Sequence, residues 1–389
     1  MRLYFSIFLV LGILFVPFSF QFYAVQNGLT EFLFGNLTTW TANRLGISWE
    51  LNDFSSDSVR GVLFYAWLLI LSLPITFLLK KKGYPFSEKL NQIATILITY
   101  YLSWVLLKYG FDKLFKAQFY SPEPNILYSR VGDLDKDILF WTSMGSSYTY
   151  SIITGVFEII PAILLLFKKT QNLGILIAIG VFINVLTLNI GFDISVKFFV
   201  CFLLLMSGYL AYPFASNLWL FLSNQPIQNT PIPKSILENL AVKRWTKTVV
   251  LIGICFEVLF PFLKTGNFND DTAPRPIYHG AYQVESVIIG TDTLSPQSAD
   301  LKRVFIHRDN YLIFQNTADQ FEDFYFELNA THSKIRVIDY NQKNQNFDIS
   351  YNPNTRILYL KTEHQQIKCK ALPWKKMALL QPLFHWTVD

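Results

Sequence analysis

Seven stretches of this chain are apolar for long enough to cross a bilayer, and that property restricts the fold more than any other. A backbone surrounded by hydrocarbon has no water to bond, so each stretch has to be helical, with about 17–25 residues apiece. The stretches run near Leu3–Tyr23, Val59–Leu79, Ile93–Tyr109, Tyr148–Phe167, Leu173–Ile190, Val196–Pro213 and Thr246–Leu263. Only 16% of the 389 residues are charged and 51% are hydrophobic, where a soluble protein carries about 25% charged residues. The sequence therefore predicts a mostly α, polytopic helical bundle with seven transmembrane helices. Only Gly191–Ser195 separates the fifth span from the sixth, so these two should form a tight hairpin.

After Lys264 the texture changes. Asn267–Pro276 is rich in turn formers, and short strand-like runs follow, among them Tyr282–Ile289, Arg303–Ile306, Tyr311–Gln315, Phe324–Leu328, Ile335–Tyr340, Phe347–Tyr351, Arg356–Lys361 and Ile367–Lys370. Turn signals at Asp309-Asn310, Asn329–His332 and Asn352–Thr355 join them as hairpins. Such a meander closes as a small barrel or folds as a sandwich. The predicted organisation is two N-terminal spans with an external segment (1–90), a four-helix core (91–222), a cytoplasmic loop with the seventh span (223–263) and an external antiparallel β-domain (264–389).

Basic residues orient the spans. Lys80, Lys81, Lys82 and Lys89 precede the third span, Lys168 and Lys169 the fifth, and Lys234, Lys243, Arg244 and Lys247 the seventh, so these loops should be cytoplasmic. The loops at Glu50–Asp53 and Asp133–Asp137 then face outward, with the N-terminus inside and the β-domain periplasmic. The first span lacks a small-x-small cleavage site near Tyr23, so it is expected to stay attached. Between the first two spans, Leu29, Phe32, Leu33, Leu37, Trp40 and Leu45 recur at helical spacing: either an interfacial amphipathic helix or a loop with scattered apolar residues.

The composition excludes several classes. From Lys264 onward basic and acidic residues balance at 14 each, so the net charge of +5 sits in the membrane half, which suits a lipid surface and no nucleic acid. Cys201, Cys255 and Cys369 form no CxxC, and all five histidines lie beyond residue 264, so neither a haem nor a metal site is expected.

Polar residues inside the spans mark the candidate site, because a charge in hydrocarbon costs roughly 2.5–3.5 kcal/mol even on the lenient insertion scale. Lys108, Asp112 and Lys116 stand at intervals of four, so a continuing helix would align them as a charge ladder while Lys113 points elsewhere. The alternative is that Lys108 snorkels from a solvated helix end. Glu158 lies well inside the fourth span, three residues before Pro161. It is either neutral glue between helices or paired with Lys108 or Lys113. Asn184 and Asn189 lie on the fifth span, and Asp193 can cap the sixth helix with Lys197 neutralising it. That last group is either a stapled hairpin or part of an outward-opening pocket. Glu257, alone in the seventh span, suits a protonated glutamate facing neighbouring helices.

Taken together, Lys108-Tyr-Gly-Phe-Asp-Lys113, Met144-Gly-Ser-Ser-Tyr148, Gly155-Val-Phe-Glu158, Leu164–Thr170 with Leu173-Gly174, and Asn184-Val-Leu-Thr-Leu-Asn189 with Asp193 and Lys197 resemble the DoxX-like membrane proteins. More narrowly they are similar to a larger bacterial branch with extra spans and a C-terminal polar domain, as are Arg303–Ile306 and Phe384-His-Trp386. The similarity covers most of the chain and is densest from Lys108 to Pro213. It implies a four-helix transmembrane core in a bacterial inner membrane, with Tyr109, Lys113, Glu158, Asn184, Asn189, Asp193 and Lys197 as pocket residues. Some members of the wider group are associated with thiosulfate:quinone oxidoreductase or membrane oxidoreductase complexes. Here Phe198-Phe-Val-Cys201 follows Lys197, where a hydroxyl residue is expected.

Two functional expectations follow. One is a membrane oxidoreductase subunit binding a quinone headgroup and working with a periplasmic donor. The other is a non-catalytic envelope scaffold, assembly factor or small-molecule carrier whose β-domain binds a periplasmic protein partner. An ion-coupled transporter is disfavoured, because the inner halves of the fifth and sixth spans carry no acid or base.

Overall fold

The computed structural model describes residues 1–47, 54, 57–226, 240–340, 344–382, 385 and 387. The loop expected at Glu50–Asp53, Lys234, and the motif residues Phe384 and Trp386 lie outside the described residues. The chain divides into two compact units, Met1–Gln118 with Ile152–Phe268, and Phe119–Ser151 with Asn269–Asp389. The helices in chain order are α1 (Arg2–Phe15), α2 (Tyr23–Arg44), α3 (Val59–Lys80), α4 (Tyr84–Leu114), α5 (Pro124–Leu127), α6 (Lys136–Ser146), α7 (Tyr148–Leu165), α8 (Gln171–Gly191), α9 (Lys197–Ala211), α10 (Ala215–Leu222) and α11 (Leu240–Thr265).

Among the described residues, six helical stretches are long and apolar enough to cross a membrane: Val59–Lys80, Tyr84–Leu114, Tyr148–Leu165, Gln171–Gly191, Lys197–Leu222 and Arg244–Thr272. This makes the chain a multi-pass membrane protein. Leu73, Phe77, Phe157, Ile163, Ile183, Ile252 and Phe256 are exposed on these helices, as lipid-facing side chains should be. The first expected span is shorter than Leu3–Tyr23. Helix α1 has 14 residues because Pro17 forces Val16 into an extended conformation, φ −73° and ψ 111°. Residues 16–22 are not helical, and α2 then runs for 22 residues. Its Gln26, Thr30, Phe34, Thr38 and Ala42 are buried at intervals of four, whereas Leu29, Phe32, Leu33 and Trp40 face outward. The segment is thus a helix rather than a loop. Arg60 at the start of α3 fastens it, bonding Glu31 at 2.6 Å and Thr38 at 3.3 Å.

Helix α4 ends where Lys116 adopts a left-handed φ of 60° and the Gln118 amide donates to the Asp112 carbonyl. The four-residue ladder therefore stops at Asp112, and Lys116 is fully buried instead of sharing the outer face. Helices α8 and α9 form the tight hairpin, turned by Asp193 at φ 53°.

In the second unit, nine strands run β1 (Gly280–Ile289), β2 (Asp292–Leu294), β3 (Arg303–Ile306), β4 (Tyr311–Gln315), β5 (Phe321–Leu328), β6 (Lys334–Ile338), β7 (Asn344–Asn352), β8 (Ile357–Lys361) and β9 (Gln365–Ala371). Pairing of β1 with β9 closes β1 and β3–β9 into an antiparallel eight-stranded barrel, so of the two expected forms the barrel is the one adopted. Asn310, His332 and Arg356 take left-handed φ values at three of its turns, where the sequence signals lie. The interior is filled by side chains such as Val284, Val304, Leu312, Phe326, Ile335, Leu358 and Cys369, and burial pushes the Cys369 thiol pKa up. Ala281, Phe305 and Ile313 point to the outside of the barrel and are also buried. Tyr128 and Trp374 cover them, and α5 packs on β1 and β3. The barrel unit thus takes in Phe119–Ser151, which the sequence reading assigned to the 91–222 core.

Buried polar groups hold this insertion in place. Glu123 and His279 Nε2 meet at 2.7 Å, the Ser121 amide donates to Asp271 at 2.7 Å, and Arg308 lies 4.2 Å over the Tyr120 ring. Burial raises the Glu123 pKa, but the hydrogen bond and charge of His279 outweigh it and hold the carboxyl below its ordinary range. Burial likewise pushes His307 below the usual imidazole value. Both folded pKa values are depressed, so the unfolded chain binds more protons and stability falls with acid. The loss should begin below about pH 6.5 through His307 and deepen below about pH 4.3 through Glu123. Hydrogen exchange in β1 and β3, corrected for intrinsic pH dependence, should show it, and His307→Gln should remove the first step alone.

Candidate functional site

A buried ion pair of the membrane half lies where α4 and α7 cross at two glycines. A Cβ on Gly155 would sit 2.7 Å from the Gly110 carbonyl oxygen, and one on Gly110 would sit 3.0 Å from the Gly155 oxygen, so neither position accommodates a larger residue. This approach brings Lys113, three residues beyond Gly110, against Glu158, three beyond Gly155. Their Nζ and Oε2 atoms are 2.8 Å apart, and both side chains are buried, at 9% and 7% exposure. Lys113 Nζ also donates to Gln118 Oε1 at 2.8 Å and lies 5.3 Å over the Tyr109 ring. Farther along the same two helices, Ser103 donates to the Ala162 carbonyl at 2.8 Å. Lys108 pairs with Asp112 at 2.6 Å on a half-buried face, so Lys113 is the cation that meets Glu158.

A second polar group lies at the α8–α9 turn. Asp57 accepts hydrogen bonds from the Lys197 and Phe198 amides at 3.1 and 3.0 Å, so Asp57 caps α9, a role expected of Asp193. Asp193 is exposed and bonds Lys197 Nζ at 2.9 Å. Asp57→Ala should therefore cost about 0.5–2 kcal/mol, the usual loss of a helix cap, while Asp193→Ala costs less than about 1 kcal/mol, as exposed ion pairs do. Melting of the purified variants side by side checks the order.

The remaining candidates separate. Asn189 is buried, its Nδ2 lacks a hydrogen-bond partner among the described residues, and its carbonyl closes the turn by accepting from the Ile194 amide at 3.0 Å. Asn184 is exposed on α8 and leaves the group. Between Tyr109 and Phe199 stands the ring of Phe18, 5.5 Å from the first and 5.1 Å from the second. Of the two forms expected for the Asp193 and Lys197 group, the geometry favours the stapled hairpin, with the ring of Phe18, part of an aromatic cluster, between Tyr109 of one polar group and Phe199 beside the other.

That cluster comes from residues 16–22 after α1 and was not legible as part of a site. Phe20 stacks on Trp104 at 3.7 Å, and its backbone neighbours are fastened by side chains: Gln26 accepts from the Phe18 amide at 3.1 Å, Thr30 donates to the Phe15 carbonyl at 2.6 Å, and Glu257 accepts from the Gln21 amide. Glu257 is therefore a loop anchor, where the sequence suggested a protonated residue facing other helices. Beside Phe20, the Tyr101 hydroxyl and the Trp104 Nε1 are buried without a hydrogen-bond partner among the described residues, as is the Tyr65 hydroxyl. An unmet donor of this kind costs about 1–3 kcal/mol. The composition signal was Pro17 followed by alternating aromatics at Phe18, Phe20 and Phe22. At the other end of α1, Ser6 bonds Asn91 at 2.8 Å and Tyr209 at 2.7 Å, and Arg2 approaches Glu88 at 4.0 Å.

No described protein family matches the sequence, and no solved structure matches it. Among curated proteins the chain is similar to the uncharacterized protein YwoB of Bacillus subtilis (strain 168), 31% identical over 97 residues. The match takes in 25% of this chain and spans only 61% of that protein's length.

Proposed function

We propose that this chain is a DoxX-like protein of the bacterial cytoplasmic membrane whose bundle holds a quinone headgroup beside Lys113 and Glu158, as the membrane subunit of an oxidoreductase. The observation that carries the reading is the buried Lys113–Glu158 pair at 2.8 Å, joined by Gln118. Such a pair is expensive to bury and rarely improves on apolar packing, so its presence favours a chemical use. The donor set fits a carbonyl-bearing ring: Lys113 Nζ and the Gln118 amide donate to a carbonyl oxygen, Tyr109 supplies an aromatic wall, and Glu158 holds or releases a proton at its carboxyl. A bound quinone supplies reversible electron and proton acceptance. The four-helix core of this reading is α4, α7, α8 and α9.

Seven crossings suit the chain better than six. Arg2 lies near Glu88 and Phe18 against Tyr109, and those two partners are about 31 Å apart along α4 at 1.5 Å per residue. Helix α1 with residues 16–18 covers that same depth, which supports a seventh crossing with a cytoplasmic N-terminus. The grouping of Phe119–Ser151 with Asn269–Asp389 in one compact unit supports a topology with both on one face. With the lysine-rich loops taken as cytoplasmic, this reading puts that unit in the periplasm.

The test is purification in mild detergent, solvent extraction and mass spectrometry of what co-purifies. A quinone retained by the wild type and lost from Glu158→Gln and Lys113→Met supports the reading. It fails if the wild type retains none and quinone-dependent activity of membranes is indifferent to Glu158→Gln.

A second reading rests on the barrel. Its interior is filled, so it binds by its outer surface, where Glu327, Lys334, Arg336, Asp348, Lys361 and His364 line an open groove of about 770 Å³. A scaffold or carrier role through a periplasmic protein partner predicts specific cross-links from this groove. Their absence would count against it.

A further inference from the structure

We infer that residues 17–22 form a plug, and that Phe20 fills a seat on Trp104 and Tyr101 suited to the planar ring of a membrane-borne ligand with oxygen acceptors. Three observations converge on this. First, the backbone of this segment abandons the helix at Pro17 and runs irregularly beside the middle of α4, which membrane proteins tolerate only where protein or a cavity surrounds it. Broken helices at this depth commonly mark binding sites. Second, Phe20 lies flat on Trp104, at 3.7 Å and 21°, and edge-on to Tyr101 at 6.3 Å, the posture of a ring ligand. Third, the Trp104 N–H and the Tyr101 hydroxyl beside it are buried and find no acceptor among the described residues. Phenylalanine offers none. A ring bearing carbonyl oxygens would use both donors, whereas a site meant only for apolar packing would be served at least cost by phenylalanine and leucine at 101 and 104.

Side chains fasten the plug by two hydrogen bonds among the described residues, from the Phe18 amide to Gln26 and from the Gln21 amide to Glu257, which suits reversible release. Its other ring, Phe18, rests against Tyr109, which in turn lies under Lys113. Withdrawal of the segment would therefore connect the ring seat with the Lys113–Glu158 pair. In that connection the inference rests on the headgroup reading; the seat itself does not.

The experiment measures equilibrium binding of tritiated menadione to the full chain in lipid nanodiscs, with methylnaphthalene, the same ring without carbonyls, as competitor. Phe20→Ala should bind about tenfold tighter, because the protein no longer occupies its own site. Gln21→Pro, which removes the amide that Glu257 accepts from and leaves the seat intact, should move affinity the same way. Tyr101→Phe and Trp104→Phe in the Phe20→Ala background should each weaken binding several-fold, and methylnaphthalene should not compete. Wild-type affinity in both Phe20→Ala and Gln21→Pro, or equal competition by methylnaphthalene, overturns the inference. Binding that depends on Glu158 but ignores Phe20 and Tyr101 removes the plug and leaves the headgroup reading standing. The reverse pattern keeps the seat and removes the role of Glu158.

Discussion

Lys113→Met should lower the stability of the helical unit by about 3–5 kcal/mol, because it leaves the Glu158 carboxylate buried without its cation. Replacing both partners, Lys113→Met with Glu158→Leu, should recover most of that loss, since an apolar pair of similar volume packs where the ions did and no desolvation cost remains. Thermal unfolding of detergent-purified protein, read together with its monodisperse yield, tests the pattern. A Lys113→Met protein as stable as the wild type would mean that water reaches the pair and that its burial has no energetic weight. A double variant that unfolds like the single one would locate the damage in packing around Tyr109 instead of in charge.

The second large effect concerns the barrel. Residues 264–389 expressed alone should fail to give a folded domain, whereas the same residues joined by a linker to 119–147 should fold. Without the insertion, Phe305 loses the cover of Tyr128, and His279 loses Glu123. Removing a large apolar contact costs about 3–5 kcal/mol and stranding a buried polar partner about 1–3 kcal/mol more. Together these approach the whole stability of a small domain. Circular dichroism and amide dispersion in nuclear magnetic resonance spectra distinguish the two preparations. A well-dispersed spectrum from 264–389 alone would show that the insertion merely rests on a self-sufficient barrel.

Much of the architecture was legible because it depends on strong local signals. The strands from Arg303–Ile306 to the last hairpin fall where alternation and turn residues put them, and six spans follow from apolar length. Closure of the barrel was not legible, since the β1–β9 pairing joins strands from opposite ends of the domain. The pairing of Lys113 with Glu158 was one of three options in sequence, beside a pair with Lys108 and a neutral glutamate. The choice was made by the Gly110–Gly155 approach, which depends on how two helices cross and leaves no periodic trace. Asp57 was missed because a helix cap was sought next to the helix it serves, and the residue supplying it comes 140 positions earlier. The insertion was missed for a related reason. Tyr128 and Glu123 look like loop residues until the strands they cover are placed beside them.

A domain assembled from two separated pieces of chain also imposes an order of events during synthesis. Residue 151 leaves the ribosome 118 positions ahead of residue 269, a delay of roughly 6–24 s at ordinary elongation speeds. Throughout that interval Tyr128 and its neighbours wait without the strands they are to cover, while four more apolar helices are made. Any nascent chain that stalls before its final stretch would present this uncovered surface to proteases and chaperones, so quality control can read the completeness of the whole polypeptide from one short segment.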